Sequence, residues 1–103
     1  MGTKIKLCAL GEVPRENSVS EMTADGRKLC VANVGGKLHA MENDCPHRLG
    51  PLGEGTVEDG LVLCPWHAWG FNPATGECRE SPQAKVKTYV VEVAGEDVMV
   101  ELE

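Results

Sequence analysis

The chain holds 103 residues, 42% hydrophobic and 25% charged, which suits one ordinary small domain (1–103) and argues against wholesale disorder. Ten Lys and Arg against 16 Asp and Glu leave a net charge of −6, so no nucleic acid and no membrane surface is expected as partner, and a basic partner patch is favoured. No apolar run approaches the roughly 18 residues of a membrane span, and no secretory stretch opens the chain, so a cytoplasmic location is expected.

In chain order, the first element is a strand carrying Ile5 and Leu7. Asp25-Gly26 marks a turn ahead of a strand over 28–34, and Gly35-Gly36 reverses the chain into another over 37–41. Two-residue Asp-Gly and Gly-Gly steps suit primed hairpin turns, whose central positions need positive φ. Thr56-Val57 and Leu61-Val62-Leu63 flank a further turn at Glu58-Asp59-Gly60. Near the C-terminus Tyr89, Val91 and Val93 share one face, and beyond Ala94-Gly95-Glu96-Asp97 the alternation resumes with Val98, Val100 and Leu102. No segment of ten or more residues has a helical apolar period, and Gly or Pro interrupts most candidates. The expected fold class is all-β, a small antiparallel sandwich or barrel.

Two stretches, 44–55 and 65–76, do not read as strands. Both are rich in Gly and Pro, and loops on a β scaffold are where sites usually sit. The first contains Cys45-Pro46-His47-Arg48-Leu49-Gly50 and the second is led by Cys64-Pro65-Trp66-His67-Ala68-Trp69-Gly70-Phe71. A Cys-x-His is thus followed, after 16 intervening residues, by a Cys-x-x-His. Two thiolates and two imidazoles delivered as matched pairs make a four-ligand metal site. The cysteine count agrees: five is odd, so a disulfide framework cannot use them all, and thiol or metal chemistry in a reducing compartment is the better reading. A structural zinc would accept the same four ligands and leave an interaction module. Zinc fingers, however, usually keep both Cys in one knuckle and both His in the other, whereas here each loop gives one of each, which suits a two-iron cluster.

With these residues the sequence resembles the Rieske family, whose 2Fe–2S centres have two His in place of two Cys on one iron. The likeness extends to the lead-in over 36–44, to Cys-Pro-Trp-His at 64–67, and to Trp69, Phe71, Thr75 and Gly76. It implies a Rieske-type β-sandwich or barrel with two cluster-binding loops and one 2Fe–2S cluster. By the same resemblance Cys45 and Cys64 hold the inner iron, and His47 and His67 the outer iron. The implied role is a one-electron carrier, not an enzyme, working between a flavoprotein ferredoxin reductase and a terminal oxygenase. A second reading is the small subunit of an assimilatory nitrite reductase, partnered by its large subunit. High-potential relatives carry a disulfide between the loops and hydroxyl donors to the cluster; Gly50 and Trp66, and Trp69 and Phe71, occupy those positions here. The potential is therefore expected near the low end of the roughly −150 to +300 mV Rieske range.

Plainer roles are expected for the remaining residues. His39 reads as a structural or surface residue in mid-strand. Cys8 and Cys30 read as small buried hydrophobes in strands, and Cys78, after the turn Thr75-Gly76-Glu77, as a partly exposed thiol without a ligand role. Trp66 and Trp69 are expected to pack against the loops and shield the cluster. Arg48 is equally a solvated side chain and a contact for an acidic partner group. Glu54, Glu58, Asp59, Glu77 and Glu80 read as a solvated acidic surface.

Overall fold

The computed structural model describes residues 3–44, 50–66 and 69–102. Among them run nine strands: β1 (Thr3–Ala9), β2 (Ser18–Ala24), β3 (Arg27–Val34), β4 (Lys37–Glu42), β5 (Thr56–Glu58), β6 (Leu61–Leu63), β7 (Gly70–Phe71), β8 (Thr88–Ala94) and β9 (Asp97–Leu102). Short 3-10 turns at Leu10–Glu12 and Leu52–Glu54 are the only helical pieces among the described residues. Every strand pair is antiparallel.

The turns follow from their residues. Asp25-Gly26, Gly35-Gly36 and Asp59-Gly60 all take positive φ at both positions and close two-residue hairpins at Ala24↔Arg27, Val34↔Lys37 and Glu58↔Leu61. Gly95, at φ +66°, takes the first central position between Ala94 and Asp97.

Six strands form one sheet in the order β1-β9-β8-β4-β3-β2, and three form a second in the order β5-β6-β7. The large sheet curls, so that its edge strands β1 and β2 approach one another. Inside the curl lie Ala24, Leu29, Ala40, Val100 and Leu102, with Ile5, Leu7, Tyr89 and Val91 packed on them. A second core joins the two sheets: Cys30, Ala32 and Met41 from β3 and β4 meet Leu52, Val62, Cys64, Phe71, Cys78 and Val86. The middle of β3 is therefore buried on both faces, as the unbroken buried run Leu29-Cys30-Val31-Ala32 records. An apolar run without alternation is what such a central strand requires.

Two elements differ from the sequence reading. β2 has no alternating apolar face; its partly buried Ser and Glu positions lie under the 3-10 turn Leu52–Glu54 and β5, which cover this edge of the sheet. β7 falls inside the stretch assigned to a loop. Its two residues pair with β6 (Val62↔Phe71, Leu63↔Gly70), because Phe71 fills the core between the sheets and is fully buried. Val93 shares the face of Tyr89 and Val91 but is 50% exposed, since β8 runs beyond the core towards the Gly95 turn.

Candidate metal centre

The stems of both ligand loops are built by short-range hydrogen bonds. β4 ends at Glu42, and Asn43 follows with only 4% of its surface exposed. Its carbonyl accepts the Leu52 N–H (2.7 Å), its Oδ1 accepts the Gly53 N–H (2.7 Å), and its Nδ2 donates to Glu21 Oε2 (2.7 Å). Asp44 and Pro51 form an isolated bridge just beyond. One buried amide thus fastens the departure of the first loop to its return. Glycine is required at 53, where a Cβ would overlap the Glu21 and Asn43 side chains.

The second loop springs from the β6–β7 hairpin. The Cys64 N–H donates to the Trp69 carbonyl (2.8 Å), directly above the Leu63↔Gly70 pair. On the far side of β7 the chain returns: Arg79 N–H donates to the Gly70 carbonyl (2.8 Å), Asn72 N–H to the Glu77 carbonyl (2.8 Å), and Phe71 bridges Cys78. Gly70 N–H donates to Glu80 Oε1 (2.8 Å), and Arg79 Nε donates to Glu80 Oε2 (2.6 Å). The Gly70 N–H holds the Glu80 carboxyl below the usual carboxylate range; burial opposes this and the Arg79 guanidinium adds to it. Glu80 is exposed, as are Glu54, Glu58, Asp59 and Glu77, but its carboxylate also fastens the Gly70 N–H and the Arg79 side chain.

The two stems meet at Cys64. Its side chain is buried in the core between the sheets, and a Cβ on Gly50 would lie 2.9 Å from its Sγ. The same Cβ would stand 3.1 Å from Trp66 Cγ, so the indole rests on the backbone of Gly50. Gly50 and Trp66 are thus held in van der Waals contact. The thiolate sulfur at this cradle is a soft donor in apolar surroundings, which fits an iron–sulfur cluster. Cys45, His47 and His67 lie outside the described residues, as does Arg48. Of the four expected ligands only Cys64 is thus placed, and no group of three metal-ligating side chains comes together among the described residues.

The other expectations divide. Cys30 is fully buried, and burial, with the Glu21 carboxylate adding to it, pushes its thiol up to about 12. Cys8 is half-buried in β1 beside a bulge, with its thiol raised by burial. Cys78 is buried, not partly exposed, because its bridge to Phe71 carries it into the core between the sheets. Trp69 packs on that core, while Trp66 covers Gly50 yet leaves half its surface in solvent. His39 sits in β4, half-buried. The loop-fastening roles of Asn43 and Glu80 escaped sequence reading; the signals were an amide one position before the Asp44–Pro51 bridge and a carboxylate two positions after the Phe71–Cys78 bridge.

The Rieske [2Fe-2S] domain model matches residues 3–98. The chain belongs to the Rieske [2Fe-2S] family. It is 33% identical over 99 residues to the ferredoxin component of the naphthalene 1,2-dioxygenase system of Pseudomonas aeruginosa, covering 95% of this chain and 94% of the relative. To the ferredoxin component of biphenyl 2,3-dioxygenase of Rhodococcus jostii (strain RHA1) it is 32% identical over 99 residues, covering 95% and 92%. Among solved structures, the Sphingomonas yanoikuyae B1 ferredoxin superposes with a TM-score of 0.86 at 27% identity, over 98% of this chain and 100% of the other. A chain from the complex of reduced oxygenase and oxidized ferredoxin in carbazole 1,9a-dioxygenase superposes at 0.82 and 28% identity, covering 98% and 94%. This Rieske chain carries one 2Fe–2S cluster and is an electron carrier rather than an enzyme. No helix among the described residues is long and apolar enough to cross a membrane.

Proposed function

We propose that Cys45, His47, Cys64 and His67 hold the cluster, within one Rieske domain over 1–103, and that the protein passes single electrons from a flavoprotein reductase to a terminal oxygenase. When bound, the cluster supplies reversible one-electron redox chemistry. The chain's own residues do the rest. Cys64 offers a buried thiolate, fixed at the hairpin end by its N–H bond to the Trp69 carbonyl. Leu52, Val62 and Phe71, all fully buried, keep water from its inner side. Trp66 leaves half its surface in solvent beside Gly50, so the loop end offers an apolar side chain to a partner. The observation that carries the reading is the meeting of Gly50 and Cys64, which brings the stems of both ligand loops to one buried sulfur.

The test is reconstitution with the flavoprotein reductase and oxygenase of an aromatic-ring dioxygenase system. Product formation should require this protein, saturate with its concentration, and vanish for Cys64→Ser. Turnover unaffected by its omission, together with co-purification with a nitrite reductase large subunit, would overturn the choice of partner.

A further inference from the structure

Gly70 is the first residue of β7, and its neighbour Trp69 supplies the carbonyl that closes the hairpin on Cys64. In an antiparallel ladder, N–H and C=O of one residue point to the same neighbouring strand. Those of Gly70 point outward, away from β6, to the returning segment. The Gly70 carbonyl takes the Arg79 N–H, and a continued ladder would send the Gly70 N–H to the Arg79 carbonyl. It goes to the Glu80 carboxylate instead. An ionised side chain has taken a ladder position at the foot of the second ligand loop.

Arg79 completes the arrangement. A Cβ on Gly70 would lie 3.3 Å from Arg79 Cζ, so the guanidinium lies over this glycine while its Nε donates to Glu80. Cys78 Sγ also approaches Glu80 Oε1, at 3.8 Å. One negative and one positive charge are therefore held one strand pair below Cys64, at fixed positions relative to the loop. The carboxylate is only partly exposed, with 29% of its side-chain surface in solvent against 51% for Arg79.

We infer that Glu80 and Arg79 are positioning residues that also set the reduction potential, Glu80 lowering it and Arg79 raising it by a smaller amount. Reduction adds a negative charge to the cluster, so a nearby carboxylate opposes it and a nearby guanidinium favours it. The inference rests on the proposed ligation by Cys64. A purely structural clamp predicts something different: loosening it from either side would disturb the loop in the same sense.

The experiment is a potentiometric titration of the holoprotein and of Glu80→Gln and Arg79→Gln, at low and high salt. Gln keeps an acceptor for the Gly70 N–H while removing the charge and the second acceptor that Arg79 uses. At a fixed applied potential, the ratio of reduced to oxidised protein should rise about threefold in E80Q, which is ~30 mV at 59 mV per decade. It should fall in R79Q, by less than E80Q raises it. Both shifts should shrink at high salt, with the EPR signature of the cluster unchanged. Shifts of the same sign, or none, with that signature intact, would overturn the inference. If E80Q assembles no cluster, R79Q decides alone: a fall supports the inference and a rise or no change refutes it. Absence of the cluster signal in the unaltered protein would instead refute the ligation reading, so the two failures are distinguishable.

Discussion

At Gly76 the backbone takes φ +82°, and a Cβ there would overlap the Val86 carbonyl oxygen. Both the conformation and the space demand glycine, so Gly76→Ala should cost more than ~1 kcal/mol of stability. Gly11 has an ordinary φ and nothing within 4 Å of its Cβ position, so Gly11→Ala should be nearly neutral. Urea midpoints of the two variants check this; equal losses would contradict it. His39 gives a pH prediction. Burial, and after it the Lys37 ammonium, pushes its imidazole below the usual value, so protonation favours the unfolded chain. Its contribution is complete above the ordinary imidazole pKa of about 6.5 and is lost as pH falls through the lower folded value. Replacing His39 by Gln should flatten the acid side of the stability profile below the ordinary imidazole pKa of about 6.5. A profile with unchanged slope would show that His39 titrates freely.

Among elements, the stem of the first ligand loop depends on one buried amide. Asn43→Ala would leave the Gly53 N–H without its acceptor and Glu21 without its donor, at a cost of about 1–3 kcal/mol. Iron bound per chain should fall with it, because the loop's departure and return are no longer fastened together. Full iron content in a destabilised variant would separate loop geometry from cluster retention. The elements also show what a sequence can and cannot disclose. Asp25-Gly26, Gly35-Gly36 and Asp59-Gly60 declare their hairpins, since few other residue pairs accept positive φ twice. β9 declares itself because one face meets the core and the other does not. β2 was silent because tertiary cover, not alternation, buries it. β7 was silent because two residues carry no period, and Phe71 is placed by the core it fills. The Cys-x-His and Cys-x-x-His spacing is visible in the sequence, and of its four residues the structure places Cys64, at the cradle formed with Gly50. Asn43 and Glu80 were not legible there, because their roles exist only once distant segments meet.

For the whole molecule, the net charge of −6 governs encounters. Electron transfer to an oxygenase that presents a basic face should slow about tenfold as ionic strength rises from low to a few hundred millimolar. A rate independent of salt would point to a neutral, apolar contact centred on Trp66. Two cores joined through β3 and β4 make the cluster loops an extension of the central sheet rather than an appendage. A domain this small, with a ligand sulfur inside one of its cores, should lose stability when the metal is removed. Iron chelation should therefore lower the melting temperature, and an apoprotein melting at the same temperature would contradict that coupling.

The most direct test of the central claim is low-temperature EPR on anaerobically purified protein before and after dithionite. The account predicts a silent oxidised sample that gains one rhombic spin-half signal per chain on reduction. Its average g should lie below that of all-cysteine 2Fe–2S clusters, as mixed Cys and His ligation requires. A reduced sample without signal, carrying zinc in place of iron, would contradict it.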